Sequence, residues 1–206
     1  MKKFATLFLL IFSMNWAFSQ STEQFLKGQF IPSENPFFVK IDTAFCDQDS
    51  MFIQLATYNA FLLMREAALS DGIDLFSGSA TRNFFRQREI WENKWRRFRG
   101  TRRNRACQIL AYSSMPGTSR HHWGTDIDLC STENKDWDSP ELAKTLEWLK
   151  NNAARFGFYM PYTDDFTRSG YCYEPWHWSY FPYSAIYTEF YKNLIEDAKI
   201  NGFIGN

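Results

Sequence analysis

The segment "SRHHWGTDID", residues 119–128, places two of the chain's three histidines and two aspartates within ten positions. The third histidine, His177, lies in "YEPWHWSY". Two imidazoles and one carboxylate form an open zinc set, with three protein ligands and a fourth position left for water. In "TDIDL", extended backbone puts Asp126 and Asp128 on one face and Ile127 and Leu129 on the other. The apolar face can then seat in a sheet while the acids face a cleft. His121 precedes Asp128 by seven residues, with Gly124 between them to turn the chain. A loop histidine can therefore fold back over a strand carboxylate. His121 and His122 compete for this role, because strand parity sends neighbours to opposite sides. His177 is the natural third ligand, since no further histidine exists. Glu174 stands three residues before it, and Pro175 breaks an ideal strand so that both can reach one site. A carboxylate there can act as general base, taking a proton from water and handing it to a leaving amine. Asp126 reads as a ligand, as a partner to a histidine or as a solvated acid. Neither half is the HExxH zinc signature. A serine nucleophile is the weaker alternative, because "SSMPGTS" lacks the G-x-S-x-G elbow.

The elements that must hold these residues suggest an α+β fold, with helices packed against a small, mostly antiparallel sheet. Helical apolar spacing predicts a helix over 50–69, stopped by Asp71-Gly72. "IDLFSGSA" reads as a short strand entering a glycine-bearing loop, and "RNFFRQREIWENKWRRF" as an amphipathic helix ended by Gly100. "CQILAY" suggests a strand, and the alternation in "TDIDLC" a half-buried one. Ser139-Pro140-Glu141 starts a helix expected to reach about 155. "GFYMPY" and "YEPWHWSY" read as strands around a loop at 163–171, before a last helix at 184–200. Residues 20–48 look like an irregular lead-in. Trp176 and Trp178 are expected to seat their strand in the core, while Trp123 or Tyr180 borders a substrate groove. Ser119 is expected to shape the approach of His121 by hydrogen bonding within the loop.

The chain opens "MKKFATLFLLIFSMNWAFSQ": two lysines, an apolar run, then small residues at Ala17 and Ser19. This is the pattern of a secretory signal peptide over 1–19, leaving one domain over 20–206 in a periplasmic or extracellular setting. Later apolar runs are too short to span a bilayer, so no stable membrane insertion is expected after cleavage. Acidic and basic residues balance at 23 each, and loss of Lys2 and Lys3 tips the mature chain slightly negative. That balance disfavours nucleic acid as a partner. The arginine-rich run "RRFRGTRRNR" at 96–105 reads as a solvated helix end or a basic rim facing anionic wall polymer. In an exported chain, Cys46, Cys107, Cys130 and Cys172 can form two disulfides, one of which would brace the histidine segments.

"SRHHWGTDID" resembles the Ser-x-His-x-x-Gly-x-x-x-Asp signature of VanY-like D-alanyl-D-alanine carboxypeptidases, the M15 family of zinc peptidases, with its hedgehog-like fold. "EPWH" resembles that family's second signature, and Ser79, Arg82 and Gln87 in "SGSATRNFFRQ" resemble its Ser-x-x-Arg-x-x-x-x-Gln segment. The three motifs keep the family's order over about 75–180. The resemblance implies His121, Asp128 and His177 as ligands to one zinc per chain, and Glu174 as the base. It implies a role for Arg82 on the substrate or the polarised carbonyl, and leaves His122 out of the metal set. Gln87 is expected to buttress the loop. The chain departs from the pattern at Asp126, where alanine is common, and at Thr81, where tyrosine is usual. An aspartate at 126 can hold a histidine tautomer or bind a substrate ammonium. The implied substrate is the stem peptide of bacterial peptidoglycan, losing a terminal D-alanine by D,D- or L,D-cleavage. Alternatives are an endopeptidase and a non-catalytic, metal-stabilised wall-binding protein.

Overall fold

The computed structural model describes residues 22–165 and 167–205, so the expected signal peptide lies outside the described residues. The chain runs through a short helix α1 (22–26), strand β1 (Phe38–Lys40), strand β2 (Phe52–Gln54) and the long helix α2 (Leu55–Ser70). Next come β3 (Ser77–Ser79), α3 (Phe84–Arg97) and α4 (Arg102–Leu110), followed by β4 (Asp126–Leu129) and α5 (Pro140–Asn152). Then β5 (Phe158–Tyr159), β6 (His177–Tyr180) and α6 (Phe181–Leu194) complete the order. Four strands form one antiparallel sheet in the order β3-β4-β6-β5, and β1 pairs with β2 in a separate ribbon.

The main core lies between this sheet and helices α2 and α5. Phe61 and Met64 of α2, Ile127 and Leu129 of β4, Leu149 of α5 and Trp178 of β6 all belong to it. A second cluster of Phe84, Trp91, Trp95, Ile109 and Phe203 fixes α3 and α4 to the C-terminal segment. Capping marks the helix starts: Asn83 accepts from Arg86 N at 2.9 Å, and Ser139 Oγ from Leu142 N at 3.4 Å.

Several elements differ from expectation. The predicted helix over 50–69 is a strand followed by a helix. Ile53 and Gln54 are buried against β1, and an apolar run is equally consistent with both states until the partner strand is known. "CQILAY" falls largely within helix α4, capped by Thr101 Oγ1 accepting from Asn104 N at 3.2 Å. Only Ile109 of that helix is fully buried, which leaves its sequence too polar to show a clear period. β4 is buried on both faces rather than half-buried, because its acids lie beneath the histidine loop. The last helix starts at Phe181 and ends at Leu194, with Pro182 in its first turn. All four cysteines are free thiols, so no disulfide braces the site. The arginine-rich run spans the end of α3, the turn at Gly100 and the start of α4, and most of it is exposed.

The lead-in is more ordered than expected, and it underlies the histidine loop. Trp123 Nε1 donates to Leu26 O at 3.0 Å, and Phe84 N donates to Gly28 O at 2.7 Å. The Phe25 ring meets Tyr187 of α6 at 5.1 Å. A β-carbon on Gly28 would lie 2.5 Å from His122 Nδ1. Gly124 ends the 3₁₀ turn Arg120–Trp123 at φ +69°, and a β-carbon there would lie 2.4 Å from Phe38 Cε1. Gly124→Ala is therefore expected to destabilise the fold by about 2–4 kcal/mol, from left-handed strain plus overpacking. Chemical denaturation measures this, and an unchanged midpoint would show that β1 does not press on the loop.

Candidate active site

Pairing of β4 with β6 sets Asp128 opposite His177 and Asp126 opposite Ser179. Opposed residues of an antiparallel pair share a face, so both aspartates and His177 line one side while Ile127 and Trp178 enter the core. His121 arrives from the Arg120–Trp123 turn, which Ser119 caps by accepting from His121 N at 3.3 Å. His121 Nε2 lies 3.2 Å from Asp128 Oδ1 and 3.2 Å from His177 Nδ1. His177 Nδ1 lies 3.0 Å from Asp128 Oδ1. The three side chains are buried and offer donor atoms all within 4.8 Å of one another.

The outer nitrogen of each imidazole is already committed. His121 Nδ1–H donates to Ala80 O at 2.7 Å, and His177 Nε2–H donates to Asp126 Oδ1 at 2.9 Å. A carbonyl and a carboxylate can only accept, so both protons sit on the far side of the rings. The inner nitrogens, His121 Nε2 and His177 Nδ1, then present lone pairs to each other and to Asp128. Such a cluster is repulsive unless a cation sits in it, and this donor set suits a zinc ion. Without a metal ion, a proton on His177 Nδ1 takes that place. Burial pulls the His177 imidazole down, but the Asp126 and Asp128 carboxylates outweigh it and hold it at about 9. Burial, reinforced by the Arg82 guanidinium, pulls His121 below its usual range.

Asp126 backs His177 from behind the cluster. Its Oδ1 also accepts from Arg120 Nε at 2.9 Å, and its Oδ2 from Thr125 Oγ1 at 2.7 Å. Burial opposes ionisation of Asp126, yet Arg120 and His177 hold it far below the usual carboxylate range. Arg120 reaches on to Ser179 Oγ at 2.7 Å, Tyr159 Oη at 2.9 Å and Thr188 Oγ1 at 3.1 Å. Nothing in the sequence pattern singles out Arg120. The available signal is charge: two aspartates on one buried strand face call for a fixed cation nearby.

His122 stands apart from the cluster. Its Nδ1–H donates to Arg82 O at 2.6 Å and its Nε2 accepts from Gly117 N at 3.0 Å. Burial lowers its pKa to about 3, so it is a neutral bracket between two loops. Gln87 is also buried and buttresses a loop, donating to Ser114 O at 2.7 Å.

Glu174 is 5 % exposed, with Oε2 3.6 Å from His177 Nδ1. Burial pushes its carboxyl up to about 7, Asp128 adding to the rise and His177, Arg82 and Lys94 opposing it. It can therefore both take and release a proton near neutral pH. Arg82 Nη1 lies 3.9 Å from Asp128 Oδ2, and its buried Nε has no hydrogen-bond partner among the described residues.

Asp128, Glu174 and Arg82 open onto a cleft of about 980 Å³ between α3 and the 132–135 segment. A recess of about 20 Å³ adjoins the cleft at Arg82, Ser113 and Glu174 and is walled further by Ser119, His177, Tyr162 and Tyr171. That is room for about one water. The Tyr162 ring centre is 4.8 Å from that of His177. Tyr162 and Tyr171 sit at the two ends of an irregular loop whose sequence has no period to reveal them. Trp123 and Tyr180 line neither space. Trp123 is buried against Tyr187 and Tyr191, and Tyr180 packs on Phe158 and Tyr183, because α6 covers that side. Trp176, expected only in the core, also lines the cleft.

Residues 50–183 match the family model of the D-alanyl-D-alanine carboxypeptidases, VanY. This chain belongs to that family. Within the family's reach, it is similar to YodJ of Bacillus subtilis (strain 168), which carries the name of a carboxypeptidase. The two are 30 % identical over 163 residues, 75 % of this chain and 56 % of YodJ, so the chain spans about half the length of that relative. The fold is shared with a vancomycin-resistance D,D-pentapeptidase VanY mutant solved in complex with Zn(II). That match has a TM-score of 0.59 at 23 % identity, covering 79 % of this chain and 88 % of the other. The LdcB LD-carboxypeptidase shares the fold at a TM-score of 0.60 and 20 % identity, covering 82 % and 81 %.

Proposed function

We propose that this chain is a zinc-dependent carboxypeptidase that removes a terminal D-alanine from peptidoglycan stem peptides. The observation that carries the reading is the convergence of three metal-ligand side chains beside a buried, protonatable Glu174 at the edge of a large cleft. His121, Asp128 and His177 would hold one zinc per chain. Bound there, zinc supplies Lewis-acid polarisation of a carbonyl and lowers the pKa of water toward about 7. Glu174 takes the proton of the attacking water and returns it to the leaving amine. Arg82, with an unused donor at its buried Nε, stabilises charge on the scissile carbonyl oxygen or holds the substrate carboxylate. Asp126 and Arg120 keep His177 in one tautomer and one orientation.

The family match supports a carboxypeptidase over an endopeptidase. Both D,D- and L,D-cleavage fit, since either releases one small residue. Among the described residues no helix is long and apolar enough to cross a membrane. With residues 1–19 read as a signal peptide and 20–206 as a single domain, the enzyme would work on the wall side of the cytoplasmic membrane.

Mass spectrometry of defined muropeptides incubated with the zinc-loaded protein tests this. Loss of a single terminal alanine is expected; internal cleavage would favour the endopeptidase, and binding without cleavage the wall-binding protein. Asp126→Asn probes the support of His177. It is expected to weaken zinc binding about 10–100-fold, as losing a ligand's outer carboxylate does. Competition with a chromogenic chelator reads the change, and unaltered affinity would remove Asp126 from that role.

A further inference from the structure

Lys94 lies on the cleft-lining face of α3, two turns beyond Arg86 and one beyond Ile90, all three of which line the cleft. It is half-buried, and its ammonium makes no hydrogen bond or ion pair among the described residues. Arg86, by contrast, is already paired with Glu89 at 2.6 Å. Burial lowers the Lys94 pKa and Arg82 adds to the fall, while Glu174 and Glu133 oppose it without closing an ion pair. A cation that has lost part of its hydration without gaining a partner is suited to an incoming anion. The recess beside Glu174 has room for only about one water, so the part of the peptide retained after cleavage lies in the large cleft. That path runs past α3 and Lys94, and faces Thr132 and Asn134 on the opposite wall.

We propose that Lys94 is a specificity-determining residue that binds a free carboxylate on the retained part of the peptide substrate. The enzyme would then discriminate between stem peptides whose upstream carboxylates are free and those in which they are amidated. This rests on the carboxypeptidase reading above. Salt-bridging to a partly desolvated carboxylate favours the free acid through KM rather than through the chemical step.

The test uses two synthetic stem peptides ending in D-alanine, each with a free C-terminal carboxylate. One has its retained carboxylates free; the other has them converted to amides. Wild-type protein is expected to show kcat/KM about tenfold higher on the free acid, as a charge-assisted hydrogen bond supplies. Lys94→Gln should raise KM for the free acid until the preference disappears, and Lys94→Arg should retain much of it. A preference that survives in Lys94→Gln overturns the inference. So does an equal fall in kcat on both peptides, which would mark Lys94 as acting only through Glu174. Wild-type cleavage without preference overturns the inference alone, whereas cleavage of neither peptide overturns the carboxypeptidase reading and this inference with it.

Discussion

Glu174→Gln should keep about one zinc per chain and lose about 10²–10⁴-fold in peptide hydrolysis, the range supplied by a positioned general base. Glutamine preserves the shape of the side chain and its place beside His177, but it cannot accept a proton from water. The base assignment rests on burial as well as position, because burial holds the Glu174 carboxyl at about 7. An acid of ordinary pKa would accept a proton poorly at neutral pH; one near 7 can take it and release it within one turnover. Turnover of defined muropeptides, measured alongside metal content, checks both halves. Undiminished turnover would remove Glu174 as the base, and loss of zinc would make it a ligand.

His177→Ala has the larger effect on metal and on stability. It removes one of three convergent donors and leaves Asp126 and Asp128, both buried, without the imidazole between them. Breaking a buried charge cluster by deleting one partner costs about 3–5 kcal/mol. Zinc content after dialysis should fall from about one per chain toward zero, and the urea midpoint should drop. His122→Ala is the informative contrast. Both ring nitrogens of His122 bind backbone groups, so its loss should lower stability while zinc content is kept. Zinc retained in His177→Ala, or lost only in His122→Ala, would reverse the ligand assignment between these residues.

The parts of the site that alternate along a strand were legible in the sequence. Asp126, Asp128 and His177 face one way because Ile127 and Trp178 must face the other, and two-residue periodicity states this directly. The position of Glu174 was legible through Pro175, which breaks that period. Arg120 was not legible, because its value lies in a pairing with Asp126 across the 3₁₀ turn that no period expresses. Tyr162 and Tyr171 come from irregular chain, where only tertiary packing decides which rings face His177. α4 was misread because an apolar stretch as short as "QIL" fits a strand or a helix equally well, and its cap at Thr101 decides locally.

The segment before β2 has a practical consequence. The match to the family model begins at residue 50, yet Leu26 and Gly28 hold Trp123 and the start of α3, and a β-carbon on Gly28 would strike His122. A fragment cut to the matched boundary would lack the keystone beneath its own histidine loop. The physical unit is thus larger than the outline that the family match draws, and any trimming meant to preserve chemistry has to keep Phe25, Leu26 and Gly28.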